Sequence, residues 1–378
     1  VRACREMGLA SLAVYSDVDR LSPHVLEADK AVRIGSAPAA ESYLRGDHLI
    51  EVARSEGAGA IHPGYGFLAE RASFAAAVEK AGLVFIGPTP ESIEAMGDKI
   101  EARLRMADVG VPIVPGSLQP MSNPEEVAET ARELGFPVLL KAVAGGGGKG
   151  MRVVSEADDL QAAFESASRE AQAAFGDGSI YVEKYLARPR HIEIQILGDQ
   201  SGAVVHLGER ECSIQRRHQK LVEESPAPLL RPADREAMCL AAVQAAGAVD
   251  YRGAGTVEFL YQDGKQAGEQ NGEPDGQFYF LEMNTRLQVE HPVTEFVTGI
   301  DLVQWQIRVA RGESLDFGQE DVSFSGHAIE CRITSEDPDS GFLPATGRIG
   351  HLEVPSGPGV RWDGGIRAGS DIGLHYDP

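Results

Sequence analysis

Hydrophobic and polar positions follow two different patterns along this chain, and the change between them predicts separate structural regions. In the first third, strand-like apolar runs alternate with helix-like segments, and this order predicts a parallel sheet covered by helices. The chain starts on the helix-like segment Val1–Met7, although such a sheet usually begins with a strand. We therefore expect a missing N-terminal strand. The other predicted elements of this region are the strand Ser11–Tyr15, the helix Asp47–Ala53, the strand Gly59–His62, the helix Phe74–Ala81 and the strand Val84–Ile86.

Beyond Val111 the pattern predicts a compact unit followed by a strand-rich remainder. The polar, glycine-containing stretch Asp263–Gly276 joins two predicted strands and is typical of an exposed hairpin insertion. The chain stops abruptly at Leu374–Pro378, again as if it were cut. The sequence therefore predicts a mixed α/β and α+β fold. Its further elements are the helices Pro124–Leu134 and Ala157–Ala174 and the strands Val138–Ala144, Met151–Val154, Ile180–Lys184, His191–Leu197, Val204–Glu211, Gly255–Tyr261, Phe278–Met283 and Gly326–Ile333.

The composition narrows the class of protein. With 35 Lys plus Arg against 57 Asp plus Glu, the net charge of −22 argues against nucleic acid or an anionic membrane as the main partner. An anionic ligand would then need a local cationic pocket, and the basic cluster Arg216–Lys220 is the candidate. No apolar run approaches the ~18–20 residues of a membrane span. Four widely spaced cysteines, without metal-binding spacing, indicate free thiols and a cytoplasmic location.

A glycine loop, Gly145–Gly150, follows the strand Val138–Ala144 and precedes a β-leaning run. A dinucleotide fingerprint would require a helix after it, and a Walker loop would require Gly-Lys-Ser/Thr. A strand–glycine loop–strand element is instead the geometry of a flap whose backbone amides close over phosphates. The alternative is a flexible hairpin. Lys141, which interrupts an apolar strand, and Lys99 would add phosphate contacts if they are not simply surface lysines.

Two predicted strands each bury a carboxylate, Glu258 and Glu282, among apolar residues. Such a carboxylate needs a cation or a hydrogen-bond partner. Strand alternation places Asn284 on the same face as Glu282, and pairing of the two strands would bring Glu258 to them. This oxygen set suits Mg²⁺ bound together with substrate phosphates. The alternative is a pair of edge carboxylates in salt bridges.

The second strand is predicted to continue to His291, with Arg286, Gln288 and Glu290 on one side. An arginine fork binds a small planar oxyanion such as bicarbonate, and a neighbouring glutamate can take its proton. The alternative is an exposed charged strand face.

These motifs occur in an order that resembles the biotin carboxylase family of the ATP-grasp superfamily. The resemblance rests on the glycine loop, the basic cluster, the run Glu282–Pro292 and the tripeptide Glu330-Cys331-Arg332, and it covers nearly the whole chain. It implies an ATP-grasp fold. Its parts would be an N-terminal Rossmann-like parallel α/β domain (1–86), a linker (87–112), a mobile flap or lid subdomain (113–185) and an antiparallel-sheet-rich catalytic and C-terminal region (186–378).

The resemblance also implies a role for individual residues. Glu290 would be the general base, and Arg332 would stabilise the biotin enolate. Bicarbonate and biotin would be bound by Lys220, Arg286, Gln288, Val289 and Arg332, and Mg²⁺ or Mn²⁺ by Glu258, Glu282 and Asn284. ATP would be bound by Lys99, Lys141, Gly145, Gly146, Gly147, Gly148, Lys149, Gly150, Glu183, Lys184, His191, Gln215 and His218.

The implied partners are a biotin carboxyl carrier protein or domain, a carboxyltransferase subunit and a second copy of the chain. The insertion at Asp263–Gly276 and the ending Tyr376–Pro378 resemble subunits of acyl-CoA carboxylases more than pyruvate carboxylase. Two alternatives stay open. One is another ATP-grasp ligase, such as a carbamoyl-phosphate synthetase or a purine-pathway carboxylating enzyme. The other is a non-catalytic nucleotide-binding module.

Overall fold

The N-terminal region is built from short parallel strands and helices, in a computed structural model that describes residues 1–143, 151–217, 219–264 and 276–376. The predicted parallel pairing is confirmed, since β1 pairs with β2 and β3 with β4 in parallel. Phe74, Val78 and Phe85 lie in the core between them. The elements are α1 (Arg2–Glu6), β1 (Leu12–Ser16), α2 (Pro23–Glu27), β2 (Lys30–Gly35), α3 (Gly46–Ser55), β3 (Ala60–Ile61), α4 (Ala72–Lys80) and β4 (Val84–Phe85).

Residues 87–112, expected to be a linker, contain two helices, α5 (Pro90–Gly97) and α6 (Lys99–Asp108). The Asp98 carboxylate begins α6 by accepting hydrogen bonds from the backbone N–H groups of Ile100 and Glu101. Such a cap satisfies donors that have no partner inside the helix. Lys99 is thereby fixed at the first position of α6.

A small three-stranded sheet forms the next unit. Its order is β6-β5-β7, and both pairings are antiparallel. Two helices cover one face, with Val127, Leu140 and Phe164 in the core. The bounds are α7 (Pro124–Leu134), β5 (Val138–Ala142), β6 (Met151–Val154), α8 (Leu160–Phe175) and β7 (Ile180–Lys184).

A six-stranded antiparallel sheet of order β12-β11-β8-β9-β10-β13 is the centre of the molecule. Helix α9 packs on one face, and α10 and α11 lie on the other. In its described residues, the region predicted as strand-rich thus also contains three α-helices. The bounds are β8 (Arg190–Gly198), β9 (Val204–Arg216), β10 (Gln219–Ser225), α9 (Pro232–Gly247), β11 (Gly253–Gln262), β12 (Gln277–Asn284), α10 (His291–Thr298), α11 (Leu302–Ala310) and β13 (Ala328–Cys331).

The described C-terminal residues form two short antiparallel pairs. These are β14 (Glu336–Asp337) with β15 (Leu343–Pro344), and β16 (Gly347–Arg348) with β17 (Asp371–Ile372). Among the described ranges, no helix has both the length and the apolar character needed to cross a membrane.

Phe259 anchors the core under the central sheet and provides a test of it. Its side chain is fully buried, and its ring centroid lies 5.5 Å from that of Phe278 and 6.5 Å from that of Phe280. Phe259→Ala is expected to lower the free energy of unfolding by about 3–5 kcal/mol, because it removes apolar contacts and leaves a cavity. Chemical denaturation measures this. The matched control, Phe296→Ala, removes a ring that is 47% exposed and should cost less than about 1 kcal/mol.

Candidate active site

One face of the central sheet is polar although it is buried. Along β8 the isoleucines from Ile192 to Ile196 pack against α9, whereas Glu193 and Gln195 point to the opposite face. Glu258 on β11 is the direct cross-strand partner of Glu193 and shares that face. Buried carboxylates need cations. We therefore expect basic side chains from neighbouring strands to neutralise the carboxylates on this face.

Lys220, on β10, supplies the central cation. Its Nζ donates hydrogen bonds to Glu193 Oε2 at 2.5 Å, Glu258 Oε1 at 2.9 Å and Glu290 Oε1 at 2.5 Å. Burial alone would lower the pKa of Lys220, but the three carboxylates outweigh it and raise that pKa above its ordinary value. The ammonium therefore stays charged and draws three acids from three parts of the chain together.

Glu290 is held between two cations. Its Oε1 accepts from Lys220, and its Oε2 accepts from Arg332 Nη2 at 2.9 Å. The side chain is buried at the start of α10. The predicted general base therefore lies beside two of the predicted anion-binding residues.

Glu258 accepts hydrogen bonds from several groups at once. Besides Lys220, Asn284 Nδ2 and Gln288 Nε2 each donate to Glu258 Oε1 at 2.9 Å, and His191 Nε2 lies 3.0 Å from its other oxygen. Burial raises the pKa of Glu258, but His191 and Lys220 lower it more, so the net shift is downward. The structure therefore brings together residues predicted for ATP, metal and bicarbonate.

Sequence reasoning missed Arg210, which lies fully buried behind this cluster. Its Nε donates to Glu193 Oε1 at 2.5 Å, and its Nη2 donates to Gln288 Oε1 at 3.1 Å. It also bonds Gln195, Thr256 and Thr294. The sequence signal for Arg210 was its position between Glu209 and Glu211 in a strand, since a buried guanidinium requires carboxylate partners.

Arg286 lies beside the cluster and contacts the N-terminal region. Its Nε donates to Glu70 Oε2 at 2.9 Å, and its Nη2 donates to Asn284 Oδ1 at 2.9 Å. Glu70 was also missed by sequence reasoning. The predicted continuation of the strand to His291 is wrong, because β12 ends at Asn284 and the following segment turns into α10. Pro292, in the first turn of α10, was the missed signal.

The predicted nucleotide residues of the small sheet form a second cluster. The Glu183 carboxylate pairs with Lys141 and with Arg103, another residue that sequence reasoning missed. Burial, followed by the positive charges of Arg103 and Lys99, lowers the pKa of Lys141 to about 8. These crowded cations favour an anion between them.

Two other predicted nucleotide residues donate hydrogen bonds to backbone carbonyls. Lys184 Nζ donates to the Gly135 carbonyl at 2.7 Å, at the end of α7, and Gln215 Nε2 donates to the Cys212 carbonyl at 2.8 Å. Val289 lies in the turn between Gln288 and Glu290. The remaining predicted positions, Gly145–Gly150 with Lys149, and His218, lie outside the described residues.

Comparison with known proteins places this arrangement in a family. Residues 1–93 match the family model of the biotin carboxylase N-terminal domain, and residues 330–378 match that of its C-terminal domain. Residues 98–317 match the ATP-binding domain of the carbamoyl-phosphate synthase L chain. A biotin carboxylase from Nostoc sp. is 52% identical over 377 residues, covering 100% of this chain and 82% of the relative. The chain belongs to the biotin carboxylase family.

Two further relatives show how the family is used. A pyruvate carboxylase component from Methanothermobacter thermautotrophicus is 52% identical over 377 residues, covering 100% of this chain and 74% of the relative. The crystal structure of the biotin carboxylase domain dimer of Hydrogenobacter thermophilus 2-oxoglutarate carboxylase contains MgADP, ADP and bicarbonate. It superposes with a TM-score of 0.89 at 48% identity, covering 100% of this chain and 80% of that one.

The expected fold and family are therefore confirmed. The biotin carboxylase fold carries a parallel N-terminal region and a large antiparallel sheet, as the sequence predicted. Membership in this family also makes the chain an ATP-grasp ligase, and it removes the alternative of a carbamoyl-phosphate synthetase or purine-pathway enzyme.

The metal that biotin carboxylases use fits the donor set predicted for it. Glu258 and Glu282 face each other on β11 and β12, and Asn284 follows two residues later. The Glu282 side chain is exposed, so the expectation of a buried carboxylate at this position is wrong. Desolvation by the surrounding protein, and then the facing Glu258 charge, still raise its pKa. Like charges directly opposite on paired strands repel, and a divalent cation with oxygen ligands would relieve this. Another group of possible metal ligands, His191, Glu193 and Glu258, already has the Lys220 ammonium bonded to two of its carboxylates.

Proposed function

We propose that this chain catalyses the ATP-dependent carboxylation of biotin with bicarbonate, the first half-reaction of a biotin-dependent carboxylase. The observation that carries the proposal is Glu290, a buried carboxylate held between Lys220 and Arg332 at 2.5 and 2.9 Å. This arrangement puts a proton acceptor beside two anion-binding cations. It suits a reaction in which a small oxyanion must lose a proton before it attacks a phosphoryl group.

In the first step, Arg286 and Lys220 would hold bicarbonate while Glu290 takes its proton. The bicarbonate oxygen then attacks the γ-phosphorus of ATP, ADP leaves, and carboxyphosphate forms. Lys141 and Lys99 would hold the phosphates in the nucleotide cluster. Glu258, Glu282 and Asn284 would hold Mg²⁺, which when bound neutralises charge on the phosphate oxygens.

In the second step, carboxyphosphate splits into CO₂ and phosphate, and the phosphate takes the ureido proton of biotin. The resulting enolate attacks CO₂ through nitrogen. Arg332 and Arg286 would stabilise its negative charge, as positioned cations do for developing anions. Closure of the expected lid subdomain, residues 113–185, over the site would keep water away from the carboxyphosphate.

The partners are proposed on the same grounds. A biotinyl carrier would deliver biotin, and a carboxyltransferase would use the carboxybiotin. Homodimerisation is supported by the relative from Hydrogenobacter thermophilus, which was crystallised as a dimer. Sequence features favour an acyl-CoA carboxylase, whereas a relative at 52% identity belongs to a pyruvate carboxylase, so the final acceptor stays a prediction. A cytoplasmic location also stays a prediction.

The test is ADP release with bicarbonate and Mg²⁺, measured with and without free biotin. Stimulation by biotin that requires bicarbonate supports the proposal. A folded sample that binds ATP but shows no turnover in either case supports the non-catalytic alternative instead.

A Glu282→Gln variant tests the metal ligands. The substitution keeps an oxygen but removes the charge, so we expect the Mg²⁺ concentration for half-maximal ADP release to rise roughly 10- to 100-fold. A Mg²⁺ titration at fixed ATP measures this. Glu101→Gln, which removes a carboxylate from an exposed helical ion pair with Arg105, is the control and should leave the titration unchanged. An unchanged midpoint in Glu282→Gln would remove Glu282 from the site.

A further inference from the structure

A second pair of carboxyl groups lies behind Arg332. Glu223 on β10 and Glu330 on β13 are direct cross-strand partners, so their side chains share one face of the sheet. Glu223 is fully buried, and its Oε1 accepts a hydrogen bond from Arg332 Nε at 2.6 Å. The same guanidinium donates through Nη2 to Glu290. Arg332 therefore bridges Glu223 and Glu290.

The other oxygens of this pair have no partner. Glu223 Oε2 and Glu330 Oε2 are both buried and accept no hydrogen bond from the residues that the structure describes. An unpaired buried carboxylate oxygen is costly, and two charged carboxylates opposite each other repel. A proton on one of them removes the repulsion and the cost of burying that carboxyl in its charged form.

The surroundings decide which carboxyl takes the proton. Arg332 bonds Glu223, and within the described ranges Glu330 has no such bond. Burial, followed by the charges of Glu223 and Glu290, raises the pKa of Glu330 to about 8. Burial also raises the pKa of Glu223, but the charge and hydrogen bond of Arg332 oppose that shift, so the proton is assigned to Glu330. The titratable and charged groups facing it are Glu223 from β10, Glu290 at the start of α10, Arg332 beyond β13, Arg210 from β9 and Tyr65 from the loop after β3. Helix α10 also carries His291 and Glu295, and Glu295 pairs with Arg361.

We propose that Glu330 is a positioning residue that works as a neutral carboxylic acid, leaving the Glu223 carboxylate to hold Arg332 against Glu290. The inference rests on the proposed function, because Arg332 is assigned there to the biotin enolate. Loss of the Glu330 proton places a second negative charge behind Arg332. That charge draws the guanidinium away from Glu290 and from the biotin site.

The direction of the pH effect follows from the protonation state. Glu330 is neutral below about pH 8 and becomes charged as the pH rises through that value. The biotin-dependent step should therefore weaken on the alkaline side. Lys141 also titrates near this pH, but it acts on ATP in both the presence and the absence of biotin. The ratio of biotin-stimulated to biotin-independent ATP hydrolysis separates the two groups.

The experiment measures this ratio from pH 7 to pH 9 in the wild type, in Glu330→Gln and in the control Glu224→Gln. Glutamine has the shape of the neutral acid but does not titrate. In Glu330→Gln the ratio should therefore change by less than about twofold between pH 7 and pH 9, while in the wild type it should fall about 10-fold. Glu224 lies on the neighbouring strand β10 and pairs with the exposed His327, so Glu224→Gln should show the same fall in the ratio as the wild type. A fall in Glu330→Gln equal to that of the wild type would overturn the proposal.

Infrared spectroscopy gives a readout that does not depend on turnover. The wild type at pH 7 should show a carbonyl band of a buried protonated carboxylic acid, which disappears above about pH 8 and is absent from Glu330→Gln. A wild-type spectrum without such a titrating band would overturn the proposal even if the variant did not fold. If the band is present but biotin never stimulates ATP hydrolysis, the proposed function fails and the protonated Glu330 stands.

Discussion

Glu290→Gln is expected to lower biotin-dependent ATP hydrolysis by a factor of roughly 10²–10⁴, the range that a positioned general base contributes. Glutamine fills the same space between Lys220 and Arg332 but cannot accept the bicarbonate proton. Steady-state ADP release with bicarbonate and biotin measures the loss.

ATP binding provides the control for this variant. The nucleotide cluster around Lys141 and Glu183 does not include Glu290, so ATP affinity should change by less than about threefold. Activity within about tenfold of the wild type would show that Glu290 is not the base. If the variant lost both ATP binding and activity, the substitution would have disrupted the structure of the site, and the test would not report on the base.

Lys220→Met is expected to damage stability as well as activity. The ammonium bonds three buried carboxylates, Glu193, Glu258 and Glu290, and methionine would remove the cation that they share. Arg210 and Arg332 would still bond Glu193 and Glu290, but no cation would lie between the three acids. Removing one partner of a buried ion pair costs about 3–5 kcal/mol in the free energy of unfolding. Denaturant unfolding at pH 7 measures this. Lys30→Met, which breaks an ion pair between more exposed groups, should cost less than about 1 kcal/mol.

The pH dependence of the stability lost in Lys220→Met gives a sharper test. In the wild type, burial raises the pKa of Glu193, but Lys220 and Arg210 lower it by more, so the net shift is downward. A depressed carboxyl pKa contributes stability above the unfolded-state value and loses it as the pH falls. The cost of Lys220→Met should therefore shrink as the pH falls from 7 towards 3. A difference that stays constant over this range would mean that lost packing, and not charge, causes it.

The alternation of apolar and polar residues predicted much of the central sheet. In β11 it correctly separated Glu258 from the buried Val257 and Phe259, and pairing with β12 brought Glu282 opposite, as expected. Alternation works here because one face packs against a helix and the other face carries the site. The parallel N-terminal pairs followed equally from the order of strands and helices.

Other parts could not be predicted from local patterns. Helix α9 is rich in alanines that are buried on several sides, including Ala241, Ala242, Ala245 and Ala246, so it lacks the polar stripe that identifies a surface helix. Glu70 bonds Arg286 across 216 residues of sequence, and such a contact depends on how two regions pack. Period and spacing place a side chain on a face, but they do not say which distant residue meets it.

The most direct measurement of the central claim is the formation of labelled carboxybiotin from isotopically labelled bicarbonate, ATP, Mg²⁺ and biotin, with Glu290→Gln measured in parallel. We predict labelled carboxybiotin in amounts that match the ADP released, and essentially none from the variant. ADP release without any label in biotin, or equal labelling by the variant, would contradict the assignment of biotin carboxylation to this site.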